Sequence, residues 1–167
     1  MPLPPLSLKG RALRLQAGRE HSRLELERKL KRHEQQPGEL ARVLDELAAK
    51  DLISEPRVVA SVLHQRAPRQ GGLRVRHELQ QKGIAPETID AAVAQLRGTE
   101  LERALTLWRR RFDGLPVEPK DHARQSRFLL GRGFAPEVVR RVLGGRAEVV
   151  AGRIRRHDAT AINYPRS

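Results

Sequence analysis

Arg66, Arg69, Arg74, Arg76 and Lys82 lie close together in the chain. Arg109, Arg110 and Arg111 form an unbroken run, and Arg124, Arg127 and Arg132 follow, with Arg140 and Arg141 beyond. The chemistry open to such groups is the gripping of anions. A guanidinium meets two oxygens of a phosphate or carboxylate at once, whereas an ammonium acts as a point charge. Any one of these residues is equally compatible with a solvated helix face. Together they make partner/DNA-binding candidates.

Other chemistries find no support. The histidines are His21, His33, His64, His77, His122 and His157. No two stand four residues apart, and none has a nearby acidic partner in a metal-ligand pattern, so surface or interface roles are expected and no metal. No phosphate loop and no Ser-centred nucleophile motif occurs, and no cofactor is implied. Gly71-Gly72 and Gly144-Gly145 suit loops between helices. A nucleophile, a base and an orienting group are nowhere assembled, so no catalytic residue is assigned and an enzyme is not expected.

Composition points to binding instead. The net charge is +13, and 27 of the 33 basic residues are Arg. Residues 1–102 carry 18 basic against 14 acidic side chains; residues 103–167 carry 15 against 6. Such an excess concentrates polyanions or acidic proteins at the surface. Aromatics are 3% of residues, with Trp108 and Phe112 on an apolar stripe, which disfavours base stacking and favours phosphate contact. The chain has no Cys, no secretory leader pattern and no apolar run of about 20 residues to span a bilayer. A cytoplasmic monomer with no membrane contact is the expectation.

The elements that must carry these arginines repeat. ELQQKGIAPETIDAAV (Glu78–Val93) and FLLGRGFAPEVVRRVL (Phe128–Leu143) share one pattern. In each a basic residue, Lys82 or Arg132, precedes a Gly that suits a left-handed helix stop. An apolar residue follows, Ile84 or Phe134, and then Ala-Pro-Glu starts the next helix with Pro at its first position. KLKRHEQQPGELARVLDEL aligns Leu30 with Leu79 and Pro37 with Pro86 but lacks the Gly, so that corner should turn differently.

Each copy follows another helical pattern. Leu8, Ala12 and Leu15 share a face, weakened by Gly10 by about 1 kcal/mol relative to Ala. Ser22 with Glu25, and Thr99 with Glu102, have capping-box spacing. Val58, Val59, Val62 and Leu63 follow Pro56, while Leu101, Ala104, Leu105, Trp108 and Phe112 recur at helical spacing. Read as one helix, the run Arg109–Arg111 turns at least one guanidinium away from Trp108. The reading is all-α: three tandem three-helix repeats, at 1–53, 54–97 and 98–143, forming an elongated, curved helical array. Residues 144–167 form a basic C-terminal tail, with one short helix conceivable at Val149, Val150 and Ile154.

REHSRLELERKL (Arg19–Leu30), DLISEPRVVASVLHQR followed by RVRHELQQKGI, and SRFLLGRGF (Ser126–Phe134) resemble signatures of the RecX family, in order, over residues 8–143. The resemblance implies three three-helix repeats and a regulator of the RecA recombinase. Such a protein lies along the groove of the RecA–DNA filament, bridges protomers, limits extension and inhibits recombinase, ATPase and co-protease activities. Some members also bind DNA. This sequence departs from the pattern in three places. Ser54-Glu55 with Val58 replaces an acidic pair and aromatic, the Gly-rich loop before Arg74 is only QGG, and Gln125 stands at an aliphatic position, which predicts looser packing of the third repeat.

A general nucleic-acid-binding helical repeat protein is the competing reading. A major-groove reader is disfavoured, because APETID and APEVVR open their helices with acidic residues. A scaffold for another acidic partner is also compatible with the charge.

Overall fold

The computed structural model describes residues 6–144. The tail expectation, including the helix at Val149, Val150 and Ile154, lies outside the described residues. Within them every regular element is helical. In chain order these are α1 (Leu8–Gly18), α2 (Arg23–Leu30), α3 (Glu39–Ala49), α4 (Glu55–Arg66), α5 (Gly72–Gln81), α6 (Pro86–Arg97), α7 (Glu100–Arg109), α8 (Pro119–Gly131) and α9 (Pro136–Leu143). The fold is all-α and built of helical repeats.

The chain divides into two compact units. Among the described residues, one comprises 6–65 and 76–92, the other 66–75 and 93–144. In the first, α1, α2 and α3 close around Leu8, Ala12, Leu26, Leu30, Leu44 and Leu47, with Leu15, Val43 and Ile53 packed at the edge. Leu26, Leu44 and Leu47 are fully buried, each contributing about 2 kcal/mol of transfer free energy. In the second, α7, α8 and α9 close around Ala104, Leu105, Trp108, Leu129, Phe134 and Val142. Val58, Val59 and Val62 of α4 and Leu79, Ile84 and Ile89 are also buried.

Both Gly corners form as their sequence suggests. Gly83 and Gly133 have φ of 71° and 80°. The amides of Ile84 and Gly83 donate to Leu79 and Gln80, and those of Phe134 and Gly133 to Leu129 and Leu130, the double pattern of a Schellman stop. The first copy does turn differently. A 3-10 turn, Lys31–His33, extends α2, and Gly38 takes a φ of 84° before α3. Glu34 then accepts from the amides of Gly38 and Leu40 at 3.0 and 3.2 Å, satisfying donors that α3 leaves open.

Capping divides the two Ser/Thr starts. The box at α2 is complete: Ser22 N–H donates to Glu25 at 2.9 Å, and Glu25 N–H donates to the Ser22 hydroxyl at 3.2 Å. The expected box at Thr99 does not form. Thr99 has φ −109° and ψ 0°, not the extended conformation a cap needs, and its hydroxyl donates to Leu96 O instead.

Candidate functional site

The candidate cations fall into two groups by what they already hold. Arg76 pairs with Asp90 at 2.6 Å, and Lys82 with Glu25 at 2.9 Å. Lys82 and Glu25 are each 14% exposed, and Arg19 joins Glu25 from the other side at 2.8 Å. Burial would push the Glu25 carboxyl up, but hydrogen bonds from Arg19, Lys82 and the Ser22 backbone outweigh it and bring the pKa down to about 2. Lys82 is therefore spent on the joint where the Lys82–Ile84 corner meets the start of α2. There Gly83 lies so close that an added Cβ would sit 2.7 Å from Leu24 Cδ2.

The second unit has a joint at the matching place, where the start of α5 meets the α8–α9 corner. Gly71 N–H donates to Arg132 O at 2.9 Å and Leu73 N–H to Gly133 O at 3.1 Å. A Cβ on Gly71 would lie 2.2 Å from Gly133 O, and one on Gly133 would meet Arg74 N and Cβ at 2.5 Å. This is what the QGG sequence is for: only backbone fits between the two segments. In the repeat register, Arg74 and Arg132 stand where the first joint has Glu25 and Lys82. The first joint is neutralised; the second brings two cations together. Arg74 is exposed and has no carboxylate partner among the described residues, while the Arg132 guanidinium lies 5.2 Å from the Phe128 ring centroid.

Two side chains that sequence reasoning passed over shape the loop carrying Arg66 and Arg69. The Arg103 guanidinium donates to Ala67 O at 2.6 Å, and also to the carbonyls of Gln70 and Leu96. Burial among neutral acceptors lowers its pKa, offset in part by Glu100. Glu100, itself buried, accepts the Gly72 amide at 3.0 Å and so caps α5. Nothing in the local spacing announces either contact, because both partners are distant in sequence. Arg66 and Arg69 are exposed on the segment these contacts hold.

Helix α7 ends at Arg109, and Arg110 and Arg111 follow in the turn that leaves it, with the Arg110 backbone still αR and its amide on Thr106 O. All three are exposed. Arg111 and Arg124 lie 5.8 and 5.6 Å from the Phe112 centroid, and Phe112 meets Phe128 edge to face at 5.4 Å. Arg124 also pairs with Asp121 at 3.2 Å, and Arg127 is exposed with no partner among the described residues. Gln125 is buried and fully used: its amide donates to Gly114 O at 3.1 Å and its oxygen accepts from Trp108 at 2.7 Å. The polar residue at the aliphatic position is thus a tie between the α7–α8 loop and the core, in place of the looser packing expected from its sequence position.

Among the described residues no group of His, Cys, Asp and Glu could hold a metal ion, and no helix is long and apolar enough to cross a membrane.

Comparison with known proteins agrees with the repeat and extends it. Residues 54–93 match the family model for the second three-helix domain of RecX, and residues 99–143 that for the third. The regulatory protein RecX of Leptothrix cholodnii is 54% identical over 140 residues, covering 84% of this chain and 89% of that protein. That of Ralstonia pickettii is 41% identical over 152 residues, covering 90% and 96%. Among solved structures, RecX from Lactobacillus salivarius superposes with a TM-score of 0.68 over 85% of this chain and 95% of that one, at 18% identity, which speaks to the fold alone. Repeat, corner glycines and sequence relatives converge: the chain belongs to the RecX family of regulatory proteins.

Proposed function

We propose that this protein is a negative regulator of the RecA recombinase, acting by binding and not by catalysis. It lies along the groove of the RecA–DNA filament, limits filament extension, and so inhibits recombinase, ATPase and co-protease activities. It works as a cytoplasmic monomer.

The observation that carries this reading is the set of uncompensated arginines. Arg69, Arg74, Arg110 and Arg127 are exposed and hold no carboxylate among the described residues. A chain of this family that displays guanidiniums without internal partners is built to meet negative charge outside itself. Fixed cations act on a filament only if they favour one of its states, and a protein touching neighbouring protomers has that leverage.

The test is ATP hydrolysis by preformed RecA filaments on single-stranded DNA, with this protein titrated at two salt concentrations. Inhibition at ratios well below one per RecA is the expected result. No inhibition by a folded protein that still binds DNA tightly would leave a general nucleic-acid-binding repeat protein as the better description.

A further inference from the structure

The first three-helix group carries a concavity of about 740 Å³, lined by none of the cations between Arg66 and Arg132. Six cations line it: Arg11 and Arg14 from α1, Arg19 after it, Arg28 and Lys29 from α2, and Arg32 beyond. No Asp or Glu is among its lining residues. In a chain with 20 acidic side chains, that is a local departure from the mixed surface found elsewhere.

The origin is helical spacing. Arg11 and Arg14 are three apart and share a face of α1; Arg28 and Arg32 are four apart across the end of α2. The two helices pack together through Leu8, Ala12 and Leu26, which brings both basic rows to one hollow. Leu15 and Leu30 form part of its floor, and apolar walls strengthen the field of charges around them.

Those charges are held in place without being cancelled. Arg11 Nε donates to Leu6 O at 3.0 Å and Arg28 Nη1 to Gln81 O at 3.1 Å. Carbonyl acceptors orient a guanidinium but leave its charge intact. Arg14 and Lys29 have no partner among the described residues. Among the described residues, Arg19 alone of the six is neutralised, by Glu25 at 2.8 Å. Two histidines among the lining residues, buried His21 and half-buried His33, register the same field. His33 is held below its ordinary pKa by burial and then by the charges of Arg11 and Arg32. For His21, burial lowers the pKa, the hydrogen bond to the Arg19 backbone and the charge of Glu25 oppose, and Arg19 and Lys29 lower it further.

We propose that this hollow between α1 and α2 is a phosphate-binding site for the backbone of a nucleic acid. Five uncancelled cations in one concavity match the dense, regular charge of a phosphate chain, and guanidiniums take phosphate oxygens in pairs. The lining holds no Phe, Tyr or Trp, so bases do not stack there, and binding tracks the backbone without reading sequence. The proposal deepens the regulatory reading, on which it rests for the setting of a filament that contains DNA.

The experiment leaves RecA out at first, so that the two ideas fail separately. A fluorescent oligo-dT is titrated with the full chain at several salt concentrations, followed by anisotropy. The variant Arg14→Gln/Lys29→Gln/Arg32→Gln removes three charges without touching a carboxylate partner. A control, Arg42→Gln/Arg97→Gln/Lys120→Gln, removes three exposed charges outside the hollow. Thermal unfolding shows whether each is folded. The expected result is a loss of at least tenfold in affinity and a shallower salt slope for the first variant, with a smaller change for the control. Equal losses in the two variants would reduce the effect to net charge and overturn the site. An oligonucleotide that does not bind the unmodified protein overturns it too. If RecA inhibition is then lost only in the first variant, the hollow docks on an acidic protein surface instead. An unmodified protein that binds DNA through the hollow yet leaves RecA untouched would sink the regulatory reading and keep the site.

Discussion

The indole Nε1–H of Trp108 donates to Gln125 Oε1 at 2.7 Å, deep in the core formed by α7, α8 and α9. Trp108 is the largest side chain there, and a buried indole needs an acceptor. Gln125 supplies it and anchors the α7–α8 loop through Gly114 O. The pair thus positions the segment that follows Arg109–Arg111 and precedes Arg124 and Arg127.

Gln125→Leu, the aliphatic choice, should therefore destabilise the protein. It leaves the indole N–H and the Gly114 carbonyl without partners, at a cost of about 1–3 kcal/mol. Trp108→Phe removes the orphaned donor but opens a cavity in the core, so in that background Gln125→Leu should cost less than it does in the parent. Urea unfolding of the two single variants and the double variant measures the coupling, and a Gln125→Leu protein as stable as its parent would show the bond to be incidental.

The two Gly corners look alike in sequence yet should respond differently to Ala. Both have positive φ, which costs a non-Gly residue about 1–2 kcal/mol. At Gly83 the new Cβ meets the tip of the Leu24 side chain at 2.7 Å, which can move, and Leu24 Cβ at 3.0 Å, which must give by only a few tenths of an ångström. At Gly133 it meets Arg74 N and Cβ, which cannot move without shifting the start of α5. Gly83→Ala should lose little beyond the backbone strain, and Gly133→Ala at least about 1 kcal/mol more. Equal shifts in melting temperature would mean that the second joint is more yielding than its geometry says.

Here lies the line between what the sequence discloses and what it does not. The stop at Gly133 is written in local residues, GRGFAPE, and so are the Ser22–Glu25 box and the stripe Leu101–Trp108. Each is a contact between residues a few positions apart. What Gly133 touches depends on Gly71 and Arg74, far away in the chain, and no periodicity carries that. The same holds for Arg103 reaching Ala67 and for Glu100 capping Gly72. The basic hollow of α1 and α2 is not legible for the same reason: Arg14 and Lys29 come to line one concavity only when the helices pack. Thr99 failed in the opposite way, since its spacing fits a cap but its backbone conformation does not.

Stability should fall in acid through Glu25. Its folded pKa of about 2 lies below the ordinary value of 4.5, so its contribution is complete above pH 4.5 and is lost as pH drops toward 2. The shift corresponds to about 2–3 kcal/mol, allowing for the partial exposure of Arg19. Glu25→Gln keeps a side chain that can close the capping box but removes the charge facing Lys82. It should be less stable than the parent at pH 7 and converge with it near pH 2. Parallel profiles across that range would place the charge effect elsewhere.

Arg74→Glu tests whether the second joint sacrifices stability for binding. The substitution gives the second joint the charge order of the first, Glu opposite a base, beside Arg132. It also puts a carboxylate in the first turn of α5, where the helix dipole favours it. Both effects should raise stability, together by about 0.5–1 kcal/mol at this exposed position. If the protein acts on RecA as proposed, inhibition should fall nonetheless, because an uncompensated cation has become an anion. A variant that is more stable and less active cannot owe its defect to misfolding, which is the usual escape for a charge reversal. The reverse substitution at the first joint, Glu25→Arg, should destabilise, because Lys82 is 14% exposed and would face a like charge. If Arg74→Glu inhibits RecA as well as the parent does, the second joint is not where the filament is held. Arg69, Arg110 and Arg127 would then have to carry the contact.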